Sequence, residues 1–175
     1  MSNKRLLTAT ILLISGLITQ WLAQPDARHN DFAPTVTPRP APDGLVRVVK
    51  VVDGDTIEIE NGEHVRYIGI NTPETVDPRR APQCFGKEAS DYNKELLEGG
   101  FVRLERDISD KDKYGRLLRY VYTPDGAMVN LTLVRNGYAQ VSTYPPDIAH
   151  TKEFTAAQAQ ARTEGLGLWS ACPAK

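Results

Sequence analysis

The sequence lacks an excess of charge of either sign. Its 175 residues carry 21 Lys and Arg against 22 Asp and Glu, a formal net charge of −1 at pH 7. A protein that binds nucleic acid through its whole surface has a large positive net charge. The near-neutral net charge of this chain excludes that mode of binding. Any site for a polyanion must therefore be a local cationic patch.

The sequence is also poor in cysteine and has no visible internal repeat. Only Cys84 and Cys172 occur, and they do not have metal-ligand spacing, so a zinc site is not predicted. An even number of cysteines in an exported chain instead predicts one disulfide. That bond would join the C-terminal tail to the loop around Cys84.

Long apolar runs are absent except at the N terminus. There, two basic residues precede an uncharged, mostly apolar run over residues 6–23. Residues 1–23 are therefore predicted to be an export signal or a membrane-spanning signal anchor. A small-x-small cleavage site is missing, since cleavage after Ala23 would put Trp21 at the −3 position. This favours an uncleaved anchor with the folded domain outside the membrane.

Residues 24–43 are predicted to be an extended, semi-rigid linker, because closely spaced prolines break helices and central strands. The prolines are Pro25, Pro34, Pro38, Pro40 and Pro42. The folded domain is predicted over residues 44–172.

The domain is organised around residues 51–74. Two runs that alternate polar and apolar residues, 56–60 and 65–70, flank an Asn-Gly pair at positions 61 and 62. This pattern predicts a β-hairpin. Oxygen-bearing side chains from two segments then meet at one end of the hairpin, as a hard cation requires. They are Asp53, Asp55, Asn71, Thr72 and Glu74.

The rest of the domain alternates between predicted strands and helices. Strands are predicted over residues 45–52, 101–107, 116–123 and 138–144, and helices over residues 86–97, 127–135 and 148–164. Asp147 is predicted to cap the last helix. This order fits a small closed barrel with helices packed outside.

Seven short motifs, in order, resemble the staphylococcal nuclease (thermonuclease) family. They are residues 52–56 (VDGDT), 66–75 (RYIGINTPET), 86–90 (GKEAS), 112–116 (DKYGR), 128–130 (MVN), 137–139 (GYA) and 167–169 (GLW). The resemblance implies an α+β fold, a five-stranded OB-fold β-barrel with three packed α-helices. It also implies a Ca²⁺-dependent endonuclease that cleaves DNA and RNA to 3′-phosphate and 5′-hydroxyl ends and acts as a monomer.

The resemblance assigns a role to each matching residue. Arg66 and Arg116 would bind the phosphate and Glu74 would be the general base. Asp55, Asn71 and the Thr72 carbonyl would bind calcium. Asp53 would contact these ligands without binding the ion itself. Lys113, Tyr114 and Tyr144 would contact the substrate. The family usually has Asp where this chain has Asn71, and the lost charge predicts weaker calcium binding or a changed metal preference.

Structural alternatives stay open at several of these positions. Arg116 could instead pair with Asp112 or Glu105, and Lys113 and Tyr114 could be plain turn residues. At the level of the whole domain, the alternative is a catalytically weak or inactive module of the same fold that binds nucleic acid. The presence of both arginines and of the glutamate favours the enzyme.

Overall fold

The computed structural model describes residues 43–75 and 81–172. Within these two ranges, no helix is long and apolar enough to cross a membrane. The predicted signal segment at residues 1–23 and the predicted linker at residues 24–43, apart from Asp43, lie outside the described residues.

The strands of the domain form a barrel and a short separate pair. They are β1 (Val46–Asp53), β2 (Thr56–Ile59), β3 (His64–Tyr67), β4 (Ile70–Asn71), β5 (Phe101–Glu105), β6 (Leu117–Tyr122) and β7 (Gln140–Val141). Five of them close into the barrel in the order β1-β2-β3-β6-β5, and β4 pairs with β7 in a separate two-stranded sheet. The helices are α1 (Gly86–Leu97), α2 (Val129–Arg135), α3 (Thr151–Thr163) and α4 (Leu168–Ala171). The predicted α+β barrel with three substantial helices is confirmed, with the one-turn α4 in addition.

The barrel closes because alternate residues of its strands are apolar and point inward. Val48, Ile57, Val65, Val102 and Val121 are all fully buried. The outer helices add a second layer of packing, in which Phe154, Ala157 and Ala161 of α3 are buried as predicted.

The predicted hairpin is present, but its second strand is interrupted. β2 and β3 pair antiparallel with Thr56 opposite Arg66. The chain then leaves the barrel, and Ile70 pairs with Val141 of β7 instead. Gly69 has a φ of 79°, and a Cβ atom there would lie 2.7 Å from the Phe154 ring. The single strand predicted over residues 65–70 is therefore wrong, because packing against α3 bends the chain at Gly69.

The predicted start of the last helix is also wrong. Helix α3 begins at Thr151 and not at residue 148, and Asp147 does not cap it. The Asp147 carboxylate instead accepts hydrogen bonds from the backbone N–H groups of Ile108 (3.0 Å) and Ser109 (2.7 Å). Asp147 therefore joins the loop before α3 to the loop after β5.

The predicted disulfide joins Cys84 to Cys172, with an S–S distance of 2.07 Å and a Cα–Cα distance of 5.9 Å. It links the residue two positions before α1 to the residue that ends α4. The bond therefore connects the two helices that lie farthest apart in the sequence.

Candidate active site

The pairing of β3 with β6 brings the two predicted phosphate-binding arginines together. These strands run parallel, with Val65 opposite Leu117 and Arg66 opposite Leu118. Arg116 directly precedes β6 and lies two positions before Leu118, the partner of Arg66, so the alternation of side chains puts both arginines on the same face of the strand pair. They line one cavity of about 550 Å³.

The guanidinium group of Arg66 is held by the hairpin. Its Nη1 atom lies 3.0 Å from Oδ2 of Asp55 and 3.2 Å from the Tyr67 carbonyl oxygen, to which it donates a hydrogen bond. Its Nη2 atom donates to Oδ1 of Asn71 at 2.9 Å. Because only 17% of the side chain is exposed, the fork has a defined orientation towards the cavity.

Arg116 is held by Asp112, as the structural alternative anticipated. Its Nε and Nη2 atoms each lie 2.7 Å from Oδ2 of Asp112. Oδ1 of the same carboxylate accepts the backbone N–H groups of Tyr114 and Arg116. Burial by itself would raise the pKa of Asp112, but these hydrogen bonds outweigh it and lower the pKa. The carboxylate is therefore a fixed anion that shapes the turn and aims Arg116, and pairing does not remove Arg116 from the cavity.

Asp55 connects the end of β1 to the segment after β4. Its Oδ2 atom accepts hydrogen bonds from the Thr72 backbone N–H (2.8 Å) and hydroxyl (3.1 Å). The two segments meet closely because residue 54 is glycine: a Cβ atom on Gly54 would lie 2.7 Å from the Thr72 hydroxyl oxygen. Glycine is therefore required at position 54 for this close contact with Thr72, in addition to any role in forming the turn.

Asp53 and Glu74 form the acidic end of the site. The Thr75 hydroxyl donates to Oδ1 of Asp53 at 2.8 Å, and the Thr75 backbone N–H donates to Oε1 of Glu74 at 3.0 Å. Burial, together with the smaller effect of the charges of Asp55 and Glu74, raises the pKa of Asp53 to about 6 against the hydrogen bonds from Thr75 and Gly54. Three carboxyl groups therefore share one electrostatic environment.

Asn93 is a site residue that sequence reasoning missed. It lies on α1 and is fully buried; its amide nitrogen donates to the Asp53 carbonyl oxygen (3.1 Å), and its oxygen accepts from the Tyr67 hydroxyl (3.0 Å). Through these bonds, α1 supports both β1 and β3 beneath the site. The available signal was an asparagine on the apolar face of a predicted helix, where a buried amide requires partners.

The remaining predicted residues lie around the mouth of the cavity. Tyr114 and Tyr144 are 71% and 74% exposed and both line it, as does Lys113. The Lys113 ammonium lies 5.0 Å and the Arg116 guanidinium 5.5 Å from the centre of the Tyr114 ring. An exposed aromatic ring beside two cations suits stacking against a base next to a bound phosphate.

We call the two parts of the site the hairpin wall and the loop wall. The hairpin wall comprises Arg66 and Asn71, which line the cavity, and Asp53, Asp55 and Thr72, which are not among its lining residues. The loop wall comprises Asp112, Lys113, Tyr114, Arg116 and Tyr144. Together with Glu74, these walls include all the site residues that the sequence predicted.

The predicted calcium ligands are brought together, and their chemistry fits a hard cation. Asp55 offers a carboxylate, Asn71 an amide oxygen and Thr72 a backbone carbonyl, and all three are oxygen donors of the kind that calcium prefers. The Asn71 amide nitrogen also donates to the Thr72 carbonyl oxygen at 3.1 Å. Only one of the three carries a full charge, and within residues 43–75 and 81–172 no group of three or more His, Cys, Asp or Glu could hold a metal ion.

Comparison with known proteins identifies the family. Residues 64–171 match the family described as staphylococcal nuclease homologue. The thermonuclease of Staphylococcus intermedius is 43% identical over 125 residues, which cover 70% of this chain and 74% of that protein. The SPbeta prophage-derived endonuclease YokF of Bacillus subtilis is 43% identical over 130 residues. Endonuclease YncB of the same organism is 42% identical over 130 residues.

The fold and the cavity define an OB-fold barrel with two arginines lining one cleft. The chain belongs to the staphylococcal nuclease family, and the predictions of that family and of a nuclease-class enzyme are confirmed. The matched region covers 71% of this chain in both Bacillus comparisons, but only 44% of YokF and 61% of YncB. The chain thus spans only part of these two relatives.

Proposed function

We propose that the protein is a calcium-dependent endonuclease that hydrolyses DNA and RNA and leaves 3′-phosphate and 5′-hydroxyl ends. The observation that carries this proposal is the convergence of Arg66 and Arg116 on one cavity of about 550 Å³. The names of the thermonuclease and endonuclease relatives support it.

The two arginines would bind the phosphate that is cleaved. A planar guanidinium matches two phosphate oxygens, and two such groups neutralise the charge that develops when an oxygen adds to phosphorus. Each is already oriented by a carboxylate, Arg66 by Asp55 and Arg116 by Asp112. Little reorganisation is therefore needed when substrate binds.

Glu74 would act on the attacking water, by orienting it or accepting its proton. The water oxygen bonds to phosphorus as its proton passes to Glu74, the bond to the 5′ oxygen breaks, and that oxygen takes up a proton from solvent and leaves as a hydroxyl. Lys113 would hold a neighbouring phosphate, while Tyr114 and Tyr144 would contact the adjacent base. Asp55, Asn71 and the Thr72 carbonyl would hold calcium, which would supply positive charge to offset the negative charge of the transition state.

The test is cleavage of plasmid and single-stranded DNA by the purified protein, first with calcium and then with an excess of chelator. We expect cleavage that needs calcium, and products whose 5′ ends accept a labelled phosphate from a polynucleotide kinase without prior dephosphorylation. Products that require dephosphorylation first would contradict the proposed polarity.

Glu74→Gln separates the enzyme from the binding module. The enzyme should lose turnover and still bind DNA, whereas exposed Glu164, at the end of α3, provides a matched Glu→Gln control with full activity. A folded wild-type protein that binds DNA but cleaves none across a wide calcium range would favour the binding module.

The proposal places the domain outside the cytoplasm, either tethered to the membrane or secreted. Its support is the basic start and apolar run of residues 1–23 followed by the proline-rich segment. Fractionation of cells that produce the full chain tests it, and nuclease found only in the cytoplasm would contradict it.

A further inference from the structure

The segment that carries Glu74 is bonded to residues just before α1. The Gln83 backbone N–H donates to the Glu74 carbonyl oxygen at 2.9 Å. In return, the Glu74 backbone N–H donates to the side-chain oxygen of Gln83 at 3.3 Å. Gln83 therefore satisfies both backbone polar groups of the proposed general base.

The first residue of α1 packs against the same segment. A Cβ atom on Gly86 would lie 2.6 Å from the Thr75 methyl group, 3.0 Å from the Pro73 carbonyl oxygen and 3.2 Å from that of Glu74. Such distances mean that the two backbones touch, with no room for a side chain. Any displacement of residues 83–86 must consequently displace Glu74.

Residues 83–86 are themselves anchored to the C-terminal part of the domain. Cys84 is bonded to Cys172, and the Phe85 ring lies 5.4 Å from the Tyr138 ring. Cys172 follows α4, whose first N–H group, that of Leu168, donates to the Gly137 carbonyl oxygen at 2.9 Å. The disulfide is therefore a covalent cross-link, in addition to the peptide chain, between residues 83–86, which contact the Glu74 segment, and the C-terminal part of the domain.

We propose that Gln83 and the Cys84–Cys172 disulfide are positioning residues for Glu74. They form a clasp, defined as Gln83, Cys84, Gly86 and Cys172, that holds the Glu74 carboxylate where it can act on the attacking water. The inference rests on the proposed function, because it assigns the clasp a role in that reaction. Geometry matters at this point, since small misplacements of a catalytic group cost large factors in rate.

The competing explanation is that the disulfide only stabilises the fold. A purely structural bond would lower the stability of the whole domain and leave kcat unchanged while the protein stays folded. A positioning bond would lower kcat, leave KM for DNA unchanged, and act only through Glu74.

The experiment compares wild type with the double variant Cys84→Ser/Cys172→Ser well below its melting temperature, with folding verified by circular dichroism. We expect kcat to fall about tenfold and KM to stay within about twofold, because the carboxylate is misplaced while the phosphate-binding arginines are not. In a Glu74→Gln background, the same two substitutions should leave the residual rate unchanged.

Gln83→Ala tests the clasp without touching the disulfide. We expect a smaller fall in kcat, about threefold, because the backbone bond from Gln83 to the Glu74 carbonyl remains. Gln160→Ala removes an exposed glutamine of α3 and is the matched control, with unchanged kcat. Gln83→Glu keeps an acceptor oxygen for the Glu74 N–H and should recover part of the loss.

Amide hydrogen exchange gives a readout that does not depend on activity. The amides of Glu74 and Gln83 should exchange faster in the serine variant, while the Tyr67 amide, which donates to the Asp55 carbonyl in the hairpin, should not. Equal acceleration at all three would indicate global destabilisation and overturn the inference.

The two proposals fail in distinguishable ways. An active wild type whose kcat is unchanged in the serine variant overturns the clasp alone. A correctly disulfide-bonded wild type that cleaves no nucleic acid overturns the proposed function and the clasp with it. A further loss of rate on removing the disulfide in the Glu74→Gln background would show that the bond acts elsewhere, and it also overturns the clasp.

Discussion

Three members of the hairpin wall are buried and bonded within the protein, whereas three members of the loop wall are exposed. Asp53, Asp55 and Thr72 are between 3% and 6% exposed, while Lys113 is exposed and Tyr114 and Tyr144 exceed 70%. Of the other members, Asn71 is exposed, and Arg66, Asp112 and Arg116 are half-buried. Buried polar groups must find partners within the protein, so the hairpin wall holds its geometry through hydrogen bonds that also stabilise the fold. Exposed groups have no such constraint. Function and stability are therefore coupled at the buried members of the hairpin wall and separable at the exposed members of the loop wall.

Replacement of each arginine is expected to give the largest effects and to separate the walls most clearly. Arg66→Ala and Arg116→Ala should each lower kcat by roughly 10²–10³-fold, the usual effect of losing one donor to transition-state charge. Arg66→Ala should also lower the free energy of unfolding by about 1–3 kcal/mol, because it leaves the buried Asp55 carboxylate without its cation. Arg116→Ala should cost less, since the Asp112 side chain left behind is 16% exposed, against 7% for Asp55, and water can solvate it more readily.

Kinetics and urea unfolding of both variants measure this difference, with Arg162→Ala on α3 as a control for loss of an exposed arginine. Equal losses of stability at positions 66 and 116 would show that the two walls do not differ in how much their arginines stabilise the fold.

The aromatic residues of the loop wall should affect binding and not folding. Tyr114→Ala and Tyr144→Ala are expected to raise KM for single-stranded DNA by roughly 5–100-fold, because stacking a base on an aromatic ring contributes about 1–3 kcal/mol. Stability should stay within about 0.5 kcal/mol of wild type, as is usual for exposed positions.

Tyr92 is the matched structural control. Its ring stacks on the Tyr138 ring with 4.1 Å between the ring centres, and it is not among the residues that line the cavity. Tyr92→Ala should lower the melting temperature and leave KM unchanged. A reversal of the two patterns would refute the assignment of Tyr114 and Tyr144 to substrate contact.

Thr72 tests whether the hydrogen bonds of the hairpin wall are stabilising. Thr72→Val keeps the shape and removes the hydroxyl that donates to Asp55, so unfolding should become easier by about 1–2 kcal/mol. Thr72→Ser keeps the hydroxyl and should lose less. Chemical denaturation distinguishes the two, and a valine variant as stable as wild type would contradict the argument.

A substitution at Asn71 is expected to change calcium affinity, and this is the smallest effect expected in the hairpin wall. Asn71→Asp restores a full charge beside Asp55 and should lower the calcium Kd by roughly tenfold, because ligand charge tunes calcium affinity. Isothermal titration with calcium measures it, and Asn61→Asp at the exposed hairpin turn is the matched control. Coincident titrations of wild type and Asn71→Asp would show that residue 71 does not set the affinity.

Local patterns in the sequence predicted most elements, and the family resemblance pointed to every member of the two walls except Asp112, which was named only as a possible structural partner of Arg116. Helix α1 was predicted with its bounds, because Gly99 and Gly100 end an amphipathic run, and the β2–β3 hairpin followed from alternation around an Asn-Gly turn. The failures came where distant segments compete with local preference. Phe154 bends the chain at Gly69, and Asp147 bonds to the loop at residues 108 and 109 instead of capping α3.

Periodicity, turn chemistry and short motifs are therefore enough to identify the family, the barrel of alternating strands, the residue types of the site and the single disulfide. How the site residues are used depends on contacts between distant segments. The parallel pairing of β3 with β6 brings Arg66 and Arg116 to one cavity, and buried Asn93 of α1 holds the backbone carbonyl of Asp53. These contacts join residues at least 40 positions apart, a separation at which no local pattern carries information.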